Sequence, residues 1–480
     1  MVFTPQKLAD LTEGTWDKNC PDCPDFSSAF FDKGWASPSS LWVTTNSDQW
    51  PREMKKWTED YQVLSKGIKK GMRAIVVRPG VEVPSGVATL RVADTWKAMR
   101  KIAFAVRDHS QSKRLLVTGT EGKTGFKVQL NHALKSQMSV YASIDSRNMS
   151  YPILSRLAKM PEDIDLSIFE VSVPKQGSGK RRASYIQPQI CVITEIGYEH
   201  LRWHGDVKKL IRNKASVVSA LAKDGICIVK SDPKYFSELK KEIAVYGDFP
   251  IYSFGLFEKD NAQLIEAKFQ SEPYGWKIKA RIEEKSIEYF IPALESHAPL
   301  SSLPVLLTAS LLGLDVEQAA QSMVDYQPYQ TSGRFSTLPY KQGALDLYDQ
   351  SFRSYLLGYR DFFEVCSRLI PQKNRKKIVV LGMLFDEREY GDEVWTLLPE
   401  AAMRQWLIDA DFDEIHTIGE REQFEKVFDD GFVWKTHHDK VEQLIPEIIE
   451  YINPGDLLMI KGDRNENMFL LSNYLRKVLV

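Results

Sequence analysis

Six consecutive residues, Gly119, Thr120, Glu121, Gly122, Lys123 and Thr124, have the composition of an anion-binding loop. Small residues let backbone N–H groups close around phosphate oxygens, a helix start favours the anion, Lys123 adds positive charge, and the Thr124 hydroxyl suits Mg²⁺. The loop follows an apolar run at 115–118 and precedes Phe126, Leu130, Ala133 and Leu134, which share one helical face. Strand, loop and helix in that order predict a nucleotide site. The usual P-loop has a Gly five residues before Gly122, where this chain carries Val117, so the loop is a shorter variant, Gly119-x-x-Gly122-Lys123-Thr124.

The surrounding rhythm supplies the elements that must hold such a loop. Apolar runs at 114–119, 165–171, 189–196 and 225–231 alternate with amphipathic stretches at 126–135 and 207–222. Strands alternating with helices predict a mainly parallel sheet, which binds ligands at the carboxyl ends of its strands. Before it, short apolar runs at 41–45, 74–78 and 88–92 and a helical stretch at 95–107 read as a small mixed α/β domain. After it, 276–291 alternates like strands, and 300–323 reads as one or two helices broken at Gly313. A third α/β rhythm follows Ser332-Gly333-Arg334, with strands expected at 344–349, 377–384, 414–419 and 456–462. The expected domains are therefore 1–111, 112–335 and 336–480, with a glycine hinge before Phe335.

Length and composition agree with this division. A chain of 480 residues allows roughly three domains at about 150 residues each. Hydrophobic content of 43% and charged content of 26% describe an ordinary folded protein, and the net charge of -1 gives no global attraction to nucleic acid or an anionic membrane. The apolar run at 303–314 is too short to span a bilayer, and the first residues lack a signal pattern, so a soluble cytoplasmic protein without membrane insertion is expected. Five cysteines over this length make no disulfide framework; Cys20 and Cys23 have no second pair, and Cys191 and Cys227 read as small core residues.

The short loop resembles the TGTxGKT loop of the Mur ligase family, the ATP-dependent amide ligases of peptidoglycan precursor synthesis. Further stretches resemble the family in the same order. Ile168-Phe169-Glu170 is similar to the family strand whose final Glu binds Mg²⁺. Thr194-Glu195-Ile196-Gly197-Tyr198-Glu199-His200-Leu201 is similar to the VTNIGxDHL segment, followed by Lys214 at the family's carbamylated lysine. The resemblance implies that His200 and carbamylated Lys214 support a second Mg²⁺, beside one held by Thr124 and Glu170. The CO₂ adduct would turn a cationic amine into an anionic oxygen ligand. His297 matches the motif near adenine, Arg334 the hinge arginine that reaches the phosphates, and Asp349, within one residue of register, an aspartate that contacts ATP. Val380-Leu381-Gly382-Met383 and Leu458-Met459-Ile460-Lys461-Gly462 resemble the last two signatures, in the amine-binding domain.

The resemblance implies a three-domain α/β architecture: an N-terminal carboxylate-substrate domain, a central ATP-binding P-loop domain and a C-terminal Rossmann-like amine-binding domain. It is nearest to the branches that add the third residue or D-alanyl-D-alanine, since Leu41-Trp42-Val43 and Gly71-Met72-Arg73-Ala74 resemble their first domain. Several positions depart from the pattern. Asp32-Lys33-Gly34 stands where Asp-Ser-Arg is usual, Ala298 replaces the Asn near adenine, Asn148-Met149-Ser150-Tyr151-Pro152 is a degraded loop, Arg353-Ser354-Tyr355-Leu356 replaces Asn-Ala-Asn-Pro, and Asp463 replaces Ser. The expected function is an ATP- and Mg²⁺-dependent ligase that joins a small-molecule or peptide carboxylate to an amine through an acyl phosphate, with a non-standard substrate. The alternatives are the cell-wall reaction itself and a nucleotide-binding relative without turnover.

Overall fold

The computed structural model describes residues 2–17, 25–31, 39–45, 61–69, 71–143, 148–197, 204–352, 356–384, 400–428 and 431–479. Among the described residues, three sheets follow one another along the chain. The first has five strands, including Ser40–Val43, Ala74–Val77 and Ala88–Arg91, which pair in parallel where the short apolar runs predict strands. The helix Thr95–His109, N-capped by Asp94, packs its Ala98, Ile102 and Val106 face into a core that also holds Ile153, Leu157 and Phe169. One apolar core thus runs from the first sheet into the second.

The second sheet has nine strands. Its parallel part places Lys113–Thr118 between Leu166–Glu170 and Ile190–Ile193, with Ile226–Lys230 and Ile251–Gly255 beyond. These central strands are almost wholly buried and read as continuous apolar runs, as a sheet covered on both faces requires. The segment at 262–291 forms three antiparallel strands at one edge. Helices Lys123–Leu134 and Ala298–Leu311 cover one face, and Val316–Gln321 follows the break at Gly313 (φ +76°).

The third sheet has six strands. Gly343–Gln350, Leu457–Lys461, Lys377–Leu381 and Glu414–Ile418 lie side by side in parallel. Two strands escape the sequence reading. Arg334–Tyr340 runs antiparallel along one edge, so the hinge arginine opens a strand, and Trp434–His438 closes the other edge. Helix Phe469–Val478 covers a core that includes Leu345, Leu347 and Ile460. The α/β class and the mostly parallel sheets are as expected. Among the described residues, no helix is long and apolar enough to cross a membrane.

Candidate active site

Strand Lys113–Thr118 delivers the phosphate loop to the top of the central sheet. The Thr118 hydroxyl donates to the Val171 carbonyl at 2.9 Å, which ties the strand end to its neighbour. Gly119 has φ +153°, and a Cβ there would lie 2.1 Å from Thr194 Oγ1, so close backbone approach requires glycine. Gly122, at φ +76°, caps helix Lys123–Leu134. The loop is braced from the next strand: Thr120 N–H donates to the Glu195 carbonyl, and Gly197 N–H to Thr120 Oγ1, at 2.6 and 2.9 Å. Lys123 folds back along the loop and donates to the Gly119 and Thr120 carbonyls at 2.9 and 2.5 Å. Lys214, 2% exposed, donates to Gly119 O from the opposite side at 2.8 Å.

Glu170 ends its strand beneath the first helical turn. Its Oε2 accepts from Thr124 Oγ1 and Lys127 Nζ, each at 2.9 Å, and its Oε1 accepts from Asn148 Nδ2 at 2.9 Å. Burial alone would raise this carboxyl, but the Lys127 and Lys123 ammonium groups and the donors around it hold it down at about 2. Hard oxygen donors beside a phosphate loop fit Mg²⁺, which is bound through one or two carboxylates together with substrate phosphates. Thr124 and Glu170 are the described residues that would hold it.

Residues of the third sheet face the loop across a cleft. A cavity of about 200 Å³ has Lys123, Thr124 and Gln129 on one wall and Gln350, Phe352 and Lys461 on the other. A second, of about 340 Å³, reaches the ends of the neighbouring strands at Glu195 and Lys230. The two meet at Glu121, Gly122, Phe126, His297 and Ser301, so they form one cleft beside the phosphate loop.

Comparison with known proteins identifies the framework. The sequence profile of the Mur ligase middle domain matches residues 117–298. The UDP-N-acetylmuramoyl-tripeptide–D-alanyl-D-alanine ligase of Rickettsia prowazekii is 24% identical over 418 residues, 87% of this chain and 90% of that protein. The Bacillus subtilis ligase of the same name is 22% identical over 85% of each. The crystal structure of MurF from Acinetobacter baumannii superposes with a TM-score of 0.81 at 19% identity over 99% of both chains, and MurF from Thermotoga maritima in complex with ADP does so at 0.71 and 15% identity, covering 94% and 97%. Residues 117–298 are therefore a Mur ligase middle domain, in a chain that shares the fold of these ligases.

In this chain the structure gathers Gly119 to Thr124, Glu170 and Lys214 around the loop, while His200 and Glu199 lie outside the described residues. His297 stands half-exposed in the cleft, its Nδ1 3.5 Å from Asp361. Burial lowers its basicity, but Asp361, Glu295 and Glu121 outweigh that and keep the imidazole above its usual range. Ala298 lines the cavity where the family pattern has Asn. His204 is structural, bonded to the Val173 carbonyl and to Asn213 at 3.0 and 2.8 Å.

Two residues assigned to the nucleotide sit elsewhere. Asp349 is fully buried on the far face of its strand, 3.3 Å from Arg476, and burial lifts its carboxyl above the ordinary range against the pull of Ser351, Ser472 and Arg476. The next residue, Gln350, faces the cleft, as strand alternation requires. Arg334 pairs with Asp349 in the edge ladder, and its Nε is buried without a hydrogen-bond partner among the described residues. The hinge lines the cleft through Thr331 and Ser332 instead. Asp463 caps the turn Arg464–Glu466 by accepting from Asn465 N–H at 2.8 Å.

Sequence reasoning missed Glu295. It is 7% exposed and accepts from Tyr348 Oη and Gln350 Nε2, at 3.1 and 3.2 Å. It lies against Gly333, where a Cβ would fall 1.8 Å from Oε1, and φ is +96°. The glycine of the hinge was the available signal; its carboxylate neighbour, 38 residues upstream (333 minus 295), was not.

Proposed function

We propose that this protein uses ATP to join D-alanyl-D-alanine to the terminal carboxylate of a UDP-muramoyl tripeptide. The observation that carries the reading is the braced phosphate loop with Glu170 beneath it, faced across the cleft by residues of the third sheet, in a chain that spans most of the length of relatives bearing that activity in their names.

A carboxylate is a poor electrophile. Transfer of the γ-phosphoryl group to it gives an acyl phosphate; the amine attacks the carbonyl carbon, and the tetrahedral intermediate collapses with loss of phosphate and a proton. Lys123 and the loop N–H groups hold the nucleotide phosphates and offset their charge. Mg²⁺ bound by Thr124 and Glu170 would supply further charge neutralisation on the phosphates. Lys214, carbamylated, would support a second Mg²⁺ with His200 and orient the carboxylate substrate. Closure of the third domain across the cleft keeps water from the acyl phosphate.

Asp32-Lys33-Gly34 and Arg353-Ser354-Tyr355 lie outside the described residues, and Asp463 serves its own turn. The test is ADP release by purified protein as each co-substrate is omitted. Release that needs both the tripeptide and the dipeptide supports the ligase, whereas ATP affinity without acceptor-dependent release means a binding protein.

A further inference from the structure

We infer that Lys461 is a contact of the terminal phosphoryl group, brought to the nucleotide by the third domain. This rests on the ATP-dependent reading above and adds a residue from across the cleft to its phosphate site.

The placement follows from strand register. Leu457–Lys461 runs between Gly343–Gln350 and Lys377–Leu381, and Lys461 stands level with Gln350 and Leu381 at the carboxyl ends of all three strands. The side chain leaves that edge towards the cavity that also holds Glu121, Lys123 and Thr124. Its stem is packed: the residue is 1% exposed, and its Nζ lies 5.2 Å from the Tyr359 ring centre and 5.9 Å from that of Phe362. Aromatic faces and the Gln350 Oε1, which accepts from Nζ at 3.0 Å, aim the ammonium.

The aim depends on the domains being docked. Gln350 presents Oε1 to Lys461 while its Nε2 donates to Glu295 Oε1 and to Tyr348 Oη, at 3.2 and 2.7 Å. Glu295 belongs to the central domain and rests on the Gly333 hinge. A continuous path, Glu295 to Gln350 to Lys461, therefore links the central domain to a cation that faces the phosphate loop. Burial weakens the hold of Lys461 on its proton, to about 8, against the pull of Asp361, Glu121, Glu295 and Asp463. Lys123 already lies within the loop, along the Gly119 and Thr120 carbonyls. The group facing outwards from the loop is the one a residue on the opposite wall can reach.

The test compares the full chain with Lys461→Met by calorimetry, using ADP and the non-hydrolysable β,γ-methylene analogue of ATP, each with Mg²⁺. A lost charge-assisted hydrogen bond predicts about tenfold weaker analogue binding, with ADP affinity within about twofold. Lys461→Arg should recover most of the loss. If Lys461→Met does not fold, Lys461→Gln serves the same comparison, since it retains a partner for Gln350. Equal weakening for both nucleotides, or none for the analogue, overturns the assignment while leaving the ligase reading intact. A wild-type chain that binds neither nucleotide overturns both.

Discussion

Lys127 Nζ lies 2.9 Å from Glu170 Oε2, and neither side chain has any exposed surface. The pair joins the second turn of the helix after the phosphate loop to the strand end below it, and the same ammonium donates to Ser143 Oγ at 2.9 Å. Breaking a buried pair leaves an uncompensated charge, at a cost of about 3–5 kcal/mol. Lys127→Met should therefore destabilise the protein by about that amount in denaturant titration, and should do more harm than removing both partners together. Because the folded carboxyl is held near 2 against an ordinary 4.5, its contribution is present above pH 4.5 and is lost as pH falls towards 2.

Lys123 and Lys214 both donate to the Gly119 carbonyl, and the ligase proposal gives them separate roles, one in nucleotide binding and one in chemistry. Lys123→Ala should abolish measurable ATP binding. Lys214→Ala should leave nucleotide affinity within about threefold and lower ligation by roughly a hundredfold or more, the scale of losing a positioned catalytic group. Full ligation by the Lys214 variant, with or without bicarbonate, would eliminate the carbamate.

Gly333 is predicted to be intolerant of any side chain. Its φ of +96° and the carboxylate of Glu295 at the place of a Cβ act together. Gly333→Ala should cost about 1–3 kcal/mol from backbone strain alone. It should also part Glu295 from Gln350, so ligation should fall further than ATP binding when the two are measured side by side.

A separate pH effect belongs to the third domain. His416 is fully buried, its Nδ1 2.7 Å from Thr436 Oγ1, and burial takes the imidazole down from 6.5 to about 4 despite Glu414 nearby. The unfolded chain takes up the proton first, so this histidine's contribution is complete above pH 6.5 and is lost as pH falls from there towards 4, by about 3 kcal/mol in all. His416→Gln should flatten that part of the stability profile without altering the slope below pH 4.5 that Glu170 sets.

What could be read in advance was what is local in the chain. The phosphate loop is six consecutive residues between a strand and a helix, and Glu170 closes an apolar strand, so both carry their own signal. Asp349 and Gln350 show the limit: neighbours on a strand point to opposite faces, and a one-residue uncertainty exchanges a cleft residue for one paired with Arg476. The contact of Gln350 with Glu295 spans 55 positions and that with Lys461 spans 111, and no periodicity announces such pairings. The edge strand Trp434–His438, half-buried and rich in polar residues, lacks the apolar run that marked the central strands.

The most direct measurement is the mass of the product formed by purified protein from ATP, Mg²⁺, bicarbonate, UDP-muramoyl tripeptide and D-alanyl-D-alanine, with ADP counted in the same sample. The account predicts one condensed product, heavier than the tripeptide substrate by the dipeptide less one water, with one ADP for each bond made. Intact ATP binding with no condensed product would contradict it.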